Sequence, residues 1–122
     1  MKTLAILPDL DKSENGSYGA AVESIDWATS VIMNELRLLG LDENTIVIFT
    51  SDNGSLGNIL PPFGGRQELI GGSNLPLRGA KGTTWEGGQR VPAIVRWKGK
   101  VEAGRVCDEL LTAMDFYPTL AN

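Results

Sequence analysis

Ser51, Asp52 and Asn53 carry hydroxyl, carboxylate and amide oxygens on consecutive residues, and Gly54 behind them lets the chain turn sharply. Oxygen donors of this kind suit hard dications such as calcium or magnesium. The same residues also make an ordinary turn, and Asp-Asn-Gly taken alone favours that reading. A second group surrounds Lys81, which stands between Ala80 and Gly82 among glycines that would let backbone approach an anion closely. The order is not that of a Walker A loop, so a nucleotide-binding P-loop is excluded. Taken alone, Lys81 reads as a solvated loop lysine.

The rest of the composition narrows the chemistry. The 122 residues include no histidine, which removes Ser-His-Asp and Cys-His catalysis and the commonest transition-metal ligand. Cys107 is the single cysteine, so an internal disulfide is impossible. The acidic neighbours Asp108 and Glu109 oppose a thiolate there, and Cys107 reads as a packing residue. A net charge of -4 with no long basic run argues against a nucleic-acid partner. No apolar stretch approaches the roughly 20 residues of a spanning helix, and residues 1–7 are too short for a signal peptide's apolar region. The chain therefore reads as soluble, with no membrane partner, and its length suits one small domain with a modest core.

The elements that must position Asp52, Asn53 and Lys81 follow from the apolar pattern. Residues 45–50, TIVIFT, form a β-branched apolar run expected as a central strand buried on both faces. The polar cluster then falls at the strand's carboxyl end, where open α/β sheets bind ligands. Upstream, Tyr18, Ala21, Val22, Ile25, Ala28, Ile32, Leu36 and Leu39 recur at helical spacing. Ser17 is a candidate N-cap, Gly40 a left-handed C-terminal cap and Leu41 the apolar contact beyond it. Glu23, Asp26, Asn34, Glu35 and Arg37 fall on the solvated face. Residues 1–17 read as a short strand or arm followed by a loop. Residues 55–75, punctuated by Pro61-Pro62, Gly64-Gly65 and Gly71-Gly72, read as one long loop. Residues 90–97 predict a strand with Pro92 near its start, and residues 106–111 a further short strand. Asp115 is expected to cap a final helix with Pro118 in its first turn.

Taken in order, these segments resemble the type I sulfatases of the alkaline-phosphatase-like superfamily. Residues 18–39 are similar to that family's YxxxVexiDwxxgxil helix, followed by GLDENT and IVIFTSDNG. LRGAKGTTWEGG at residues 77–88, with Arg90-Val91-Pro92, resembles the lrGxKgttyEGGxRvP signature, and Asp115-Phe116-Tyr117-Pro118-Thr119-Leu120 its DlyPTl. The resemblance covers nearly all of the chain after Ser17 and implies the later part of a sulfatase catalytic domain. The implied fold is α/β, a partial alkaline-phosphatase or sulfatase-like sheet with flanking helices, in one partial domain over residues 1–122.

By the same resemblance, Asp52 and Asn53 would be ligands of a calcium or magnesium ion, and Lys81 would contact the sulfate of a sulfate ester substrate. Arg78, Glu86 and Arg90 would hold loop and strand together as buried, paired charges, with Trp85 as a packing anchor. The chain departs from the family pattern in having no C-x-P-S-R segment, the source of the formylglycine nucleophile, and no early aspartate pair or upstream histidine. A calcium site takes six to eight oxygens, so the ion would be weakly held or absent in this chain. The expected function is part of a sulfuric ester hydrolase, inactive alone. The alternatives are a non-enzymatic remnant acting as an oligomerising or anion-binding module, and a phosphate or phosphonate ester hydrolase of the same superfamily. Uncovered strand edges also predict a homo-oligomer.

Overall fold

The computed structural model describes residue 13 and residues 16–57 and 72–121. The elements run in the order α1 (Gly16–Leu38), a 3₁₀ turn (Asp42–Asn44), β1 (Val47–Thr50), α2 (Glu86–Gln89), β2 (Ala93–Arg96) and α3 (Ala113–Ala121). Most of the expected arm and loop at residues 1–17, and most of the expected loop at 55–75, lie outside the described residues, and Gly16 and Ser17 belong to α1 and not to the loop.

The helical spacing of residues 18–39 becomes α1. Its start falls one residue before Ser17, which therefore sits in the first turn and not at the N-cap. Its end follows from local chemistry. Gly40 takes φ +69°, the Gly40 amide donates to the Arg37 carbonyl at 3.1 Å, and the Leu41 amide donates to the Leu36 carbonyl at 2.9 Å. This pair of bonds is the Schellman arrangement, which satisfies two otherwise orphaned helix carbonyls. The polar face is solvated as expected, but the apolar stripe is not a core face. Tyr18, Val22, Ile25 and Ile32 are exposed, and Gly19 and Ala20 are the buried positions of the helix. Periodicity specifies which face would be buried; burial itself needs an element to lie across that face, and none of the described residues supplies one.

β1 pairs with β2 in an antiparallel ribbon, with Val47 opposite Arg96, Ile48 opposite Val95, Phe49 opposite Ile94 and Thr50 opposite Ala93. The expectation of a central strand buried on both faces is corrected. β1 has one neighbour among the described residues, its first two residues are half-buried, and Phe49 and Thr50 are exposed. Pro92 precedes β2, where its missing donor removes no ladder bond, and its carbonyl accepts from the Thr50 hydroxyl at 3.1 Å.

An ion cluster pins the start of this ribbon to the turn that follows α1. Asp42, 8% exposed, has Arg96 Nη2 at 2.8 Å from Oδ1 and Lys98 Nζ at 3.6 Å from Oδ2. The Arg96 contact lies off the hydrogen-bond direction, so it acts through charge. Lys98 also donates to Glu43 at 3.0 Å, and that bond, with the charge of Glu43 behind it, holds the ammonium above its ordinary pKa. A raised folded-state value means that the contribution is complete below the ordinary lysine range and is lost as pH rises through the folded value.

Three expectations near the C-terminal end are also corrected. Residues 106–111 form no strand; Val106, Leu110 and Leu111 are exposed, and no described segment offers them a ladder. Cys107 is exposed and not a packing residue. The final helix begins at Ala113, which places Pro118 inside it and not in the first turn. Thr112 precedes the helix, and Asp115 reaches back to it: Oδ2 accepts from the Thr112 amide at 2.6 Å and from its hydroxyl at 2.9 Å. This is capping-box chemistry with Asp115 as the third helical residue.

Those two bonds, the backbone one foremost, depress the Asp115 pKa below its ordinary value of 3.8. A depressed folded value gives stability that is present above the unfolded pKa and lost as pH falls through the folded one. Lowering the pH below about 4 is therefore expected to fray α3, and Asp115→Ala to abolish that acid transition. Amide exchange at residues 113–116 reads both, and an acid transition retained in Asp115→Ala would count against the box as its cause.

Candidate functional site

The chain leaves β1 at Ser51, whose hydroxyl donates to the Asn53 carbonyl at 2.9 Å and tightens the turn that carries Asp52 and Asn53. Asp52 is exposed and Asn53 half-buried. Gly54 and Ser55 then run against two other segments. The Gly54 amide donates to the Gly88 carbonyl at 3.0 Å, and the Ser55 carbonyl accepts the Lys81 amide at 3.0 Å. The Gly87 amide in turn donates to the Arg78 carbonyl at 2.8 Å. Three backbone strands of the site are thus laced together: the β1 exit, the Lys81 turn and the start of α2.

Such close backbone approach explains the glycines. A Cβ at residue 54 would be driven onto the Gly87 carbonyl, and one at residue 87 onto the Gly79 carbonyl. A Cβ at residue 88 would meet the Thr83 and Ala80 carbonyls. The Lys81 turn is closed by Thr83, whose amide and hydroxyl donate to the Ala80 carbonyl at 3.0 and 2.8 Å. Ala80 is buried beneath it, while Lys81 and Gly82 stand at the exposed tip.

The remaining signature residues hold one another at the rim. The Arg78 guanidinium lies 3.6 Å from the centroid of the Trp85 ring, a cation–π stack across the neck of the Lys81 turn. Trp85 remains 48% exposed, so it anchors Arg78 more than a core. Glu86 and Arg90 pair at 3.4 Å one helical turn apart, yet both are exposed, which corrects the expectation of buried paired charges. An exposed pair of this type contributes about 0.3–0.5 kcal/mol.

The oxygens of Asp52 and Asn53 are the hard donors that calcium and magnesium prefer, so in type they fit such an ion. In number they fall short of a complete shell, and among the described residues no three acidic, histidine or cysteine side chains converge. Neither the Asp52 carboxylate nor the Lys81 ammonium is engaged in an ion pair among the described residues. Both are available to an ion or an anion. Among the described residues no helix is long and apolar enough to cross a membrane.

Sequence reasoning on the residues alone did not single out Asn74. Its side-chain amide accepts from the Ser55 amide at 2.8 Å and donates to the Ser55 and Gly79 carbonyls at 2.9 and 3.2 Å. The available signal was a polar pair, Ser73-Asn74, between a glycine pair and Leu75-Pro76. Asparagine in such a stretch commonly substitutes for backbone hydrogen bonding.

Residues 7–122 match the family model of the sulfatases. The chain is 46% identical over 110 residues to mouse (Mus musculus) steryl-sulfatase, a match covering 90% of this chain and 17% of that protein. It is 46% identical over 111 residues to human (Homo sapiens) arylsulfatase H, covering 90% and 19%. With dog (Canis lupus familiaris) N-acetylgalactosamine-6-sulfatase the identity is 44% over 112 residues, covering 92% and 20%. The chain thus spans about a fifth of the length of these relatives. Matches that run through the β1 exit, the Lys81 turn and both helices beyond them leave one assignment: the chain belongs to the sulfatase family.

Proposed function

We propose that the chain forms part of the metal and sulfate site of a sulfuric ester hydrolase. Asp52 and Asn53 are the residues that would hold a divalent ion, and Lys81 is the group that would hold the sulfate. The observation that supports this most is the hydrogen bond from the Lys81 amide to the Ser55 carbonyl, which fixes the lysine turn to the segment leaving Asn53. The family generally uses a divalent metal, and when bound such an ion supplies Lewis-acid neutralisation of charge on sulfate oxygens. Lys81 adds a flexible cation at an exposed tip, suited to an oxyanion as a point charge. The relatives named steryl-sulfatase and N-acetylgalactosamine-6-sulfatase support a sulfate ester as substrate, with the alcohol portion read by segments other than Lys81. The C-x-P-S-R nucleophile segment is absent from these 122 residues, so the chain by itself does not turn over substrate. Self-association into a homo-oligomer belongs to the same reading.

The test is a sulfate titration of the purified chain, run with and without calcium and followed at the Lys81 amide. Lys81→Ala is expected to weaken binding by up to about fivefold, since an exposed charge pair contributes about 1 kcal/mol or less. Asp52→Ala is expected to remove the effect of calcium. Sulfate affinity unchanged in Lys81→Ala would sink the assignment of the lysine, and metal-dependent hydrolysis of an aryl sulfate by this chain would sink the assignment of inactivity.

A further inference from the structure

Three hydrogen bonds converge on the side-chain amide of Asn74, which belongs to no helix or strand. Through Ser55 it grips the backbone two residues beyond Asn53, and through the Gly79 carbonyl it grips the backbone two residues before Lys81. The Ser55 carbonyl that it holds also accepts the Lys81 amide. The pocket around the amide is tight, since a Cβ on Gly54 would lie 3.3 Å from Oδ1 and one on Gly57 would lie 3.4 Å from Nδ2. The chemical demand is specific: two carbonyl oxygens need donors and one N–H needs an acceptor. At this side-chain length only an amide meets it. An aspartate of the same shape would present oxygen to both carbonyls.

We propose that Asn74 is a positioning residue that sets the placement of the Lys81 turn relative to the Asp52-Asn53 turn. What those two turns bind rests on the reading above; the clamp is testable without any ligand.

The experiment is amide hydrogen exchange and NMR on the full chain, comparing wild type with Asn74→Ala and the isosteric Asn74→Asp. Exchange at Ser55 and Lys81 is expected to accelerate at least about tenfold in both variants, as for the loss of one or two net hydrogen bonds, while the amides of α1 are unchanged. Unaltered exchange at Lys81 in both variants overturns the proposal. A second arm adds Mn²⁺, a hard-donor ion whose broadening falls steeply with distance. Broadening at Asp52 and Asn53 should persist in the variants while that at Lys81 falls several-fold. Undiminished broadening at Lys81 overturns the positioning role. Absence of broadening at Asp52 and Asn53 in the wild type instead defeats the metal reading, and the exchange arm then decides the clamp alone. Should both variants unfold, the wild type decides: slow exchange of the Asn74 Nδ2 protons is expected, and fast exchange overturns the proposal.

Discussion

Gly54→Ala is expected to unfasten the β1 exit from α2. The added methyl would be driven onto the carbonyl of Gly87, and main chain cannot swing aside as a flexible side chain does. Overpacking of this kind costs about 1–3 kcal/mol, and losing the Gly54–Gly88 hydrogen bond costs about 1 kcal/mol more. Gly82→Ala is the natural comparison, because residue 82 has open space around it but φ of +87°. Its penalty is the left-handed one, about 1–2 kcal/mol. In urea denaturation followed by near-ultraviolet circular dichroism, the midpoint of Gly54→Ala should fall further than that of Gly82→Ala. The reverse order would mean that the site loops relax around a methyl group and that the glycines serve conformation more than proximity.

The second large effect concerns assembly. Ala20 and Ala80 are the only buried apolar side chains among the described residues, while Ile25, Ile32, Phe49 and Ile94 all stay more than two-fifths exposed. Helix and ribbon each carry an apolar face, and the outer edges of β1 and β2 are unpaired among the described residues. At micromolar concentration the chain is expected to self-associate, by strand pairing or exchange of a terminal segment, with a largely apolar interface above about 1,000 Å² in total. Multi-angle light scattering checks this, and a compact monomer would show that the apolar faces are covered in another way.

What could be read from the sequence divides along a physical line. The end of α1 was legible because a Schellman cap needs only Gly40 and its immediate neighbours. Asp52, Asn53 and Lys81 were legible as candidates, but only through the resemblance; on local chemistry alone they read as a turn and a solvated lysine. The bond from Lys81 to Ser55 joins residues far apart in sequence, and no local pattern encodes it. Asn74 escaped for the same reason, since its partners and not its neighbours define it. The apolar stripe of α1 was legible as a helix, but whether it is covered was not, because residues 18–39 contain the pattern and not the surface that would cover it. Residues 106–111 were misread as a strand for want of a ladder, which composition cannot reveal.

The contacts around β1 and β2 are nested, and loop-closure entropy predicts an order of folding from them. Thr50 and Pro92, joined across the ribbon, stand 42 positions apart, whereas Ser55 and Asn74 are separated by 19. Closing the longer loop from an open chain forfeits about 3 kcal/mol of entropy beyond a constant, and the inner contact lowers that barrier by forming first, at about 0.7 kcal/mol less. On that order the Asn74 contacts would bring Gly54 toward Gly88, and the ribbon would zip outward from Thr50 to Val47. In kinetic terms, substitutions at Asn74 are expected to act chiefly on the folding rate and those at Val47 or Arg96 on the unfolding rate, which stopped-flow folding and unfolding read separately. The loops that carry the candidate site would then be the nucleus from which the ribbon grows, and equal effects of both sets of substitutions on the folding rate would count against it.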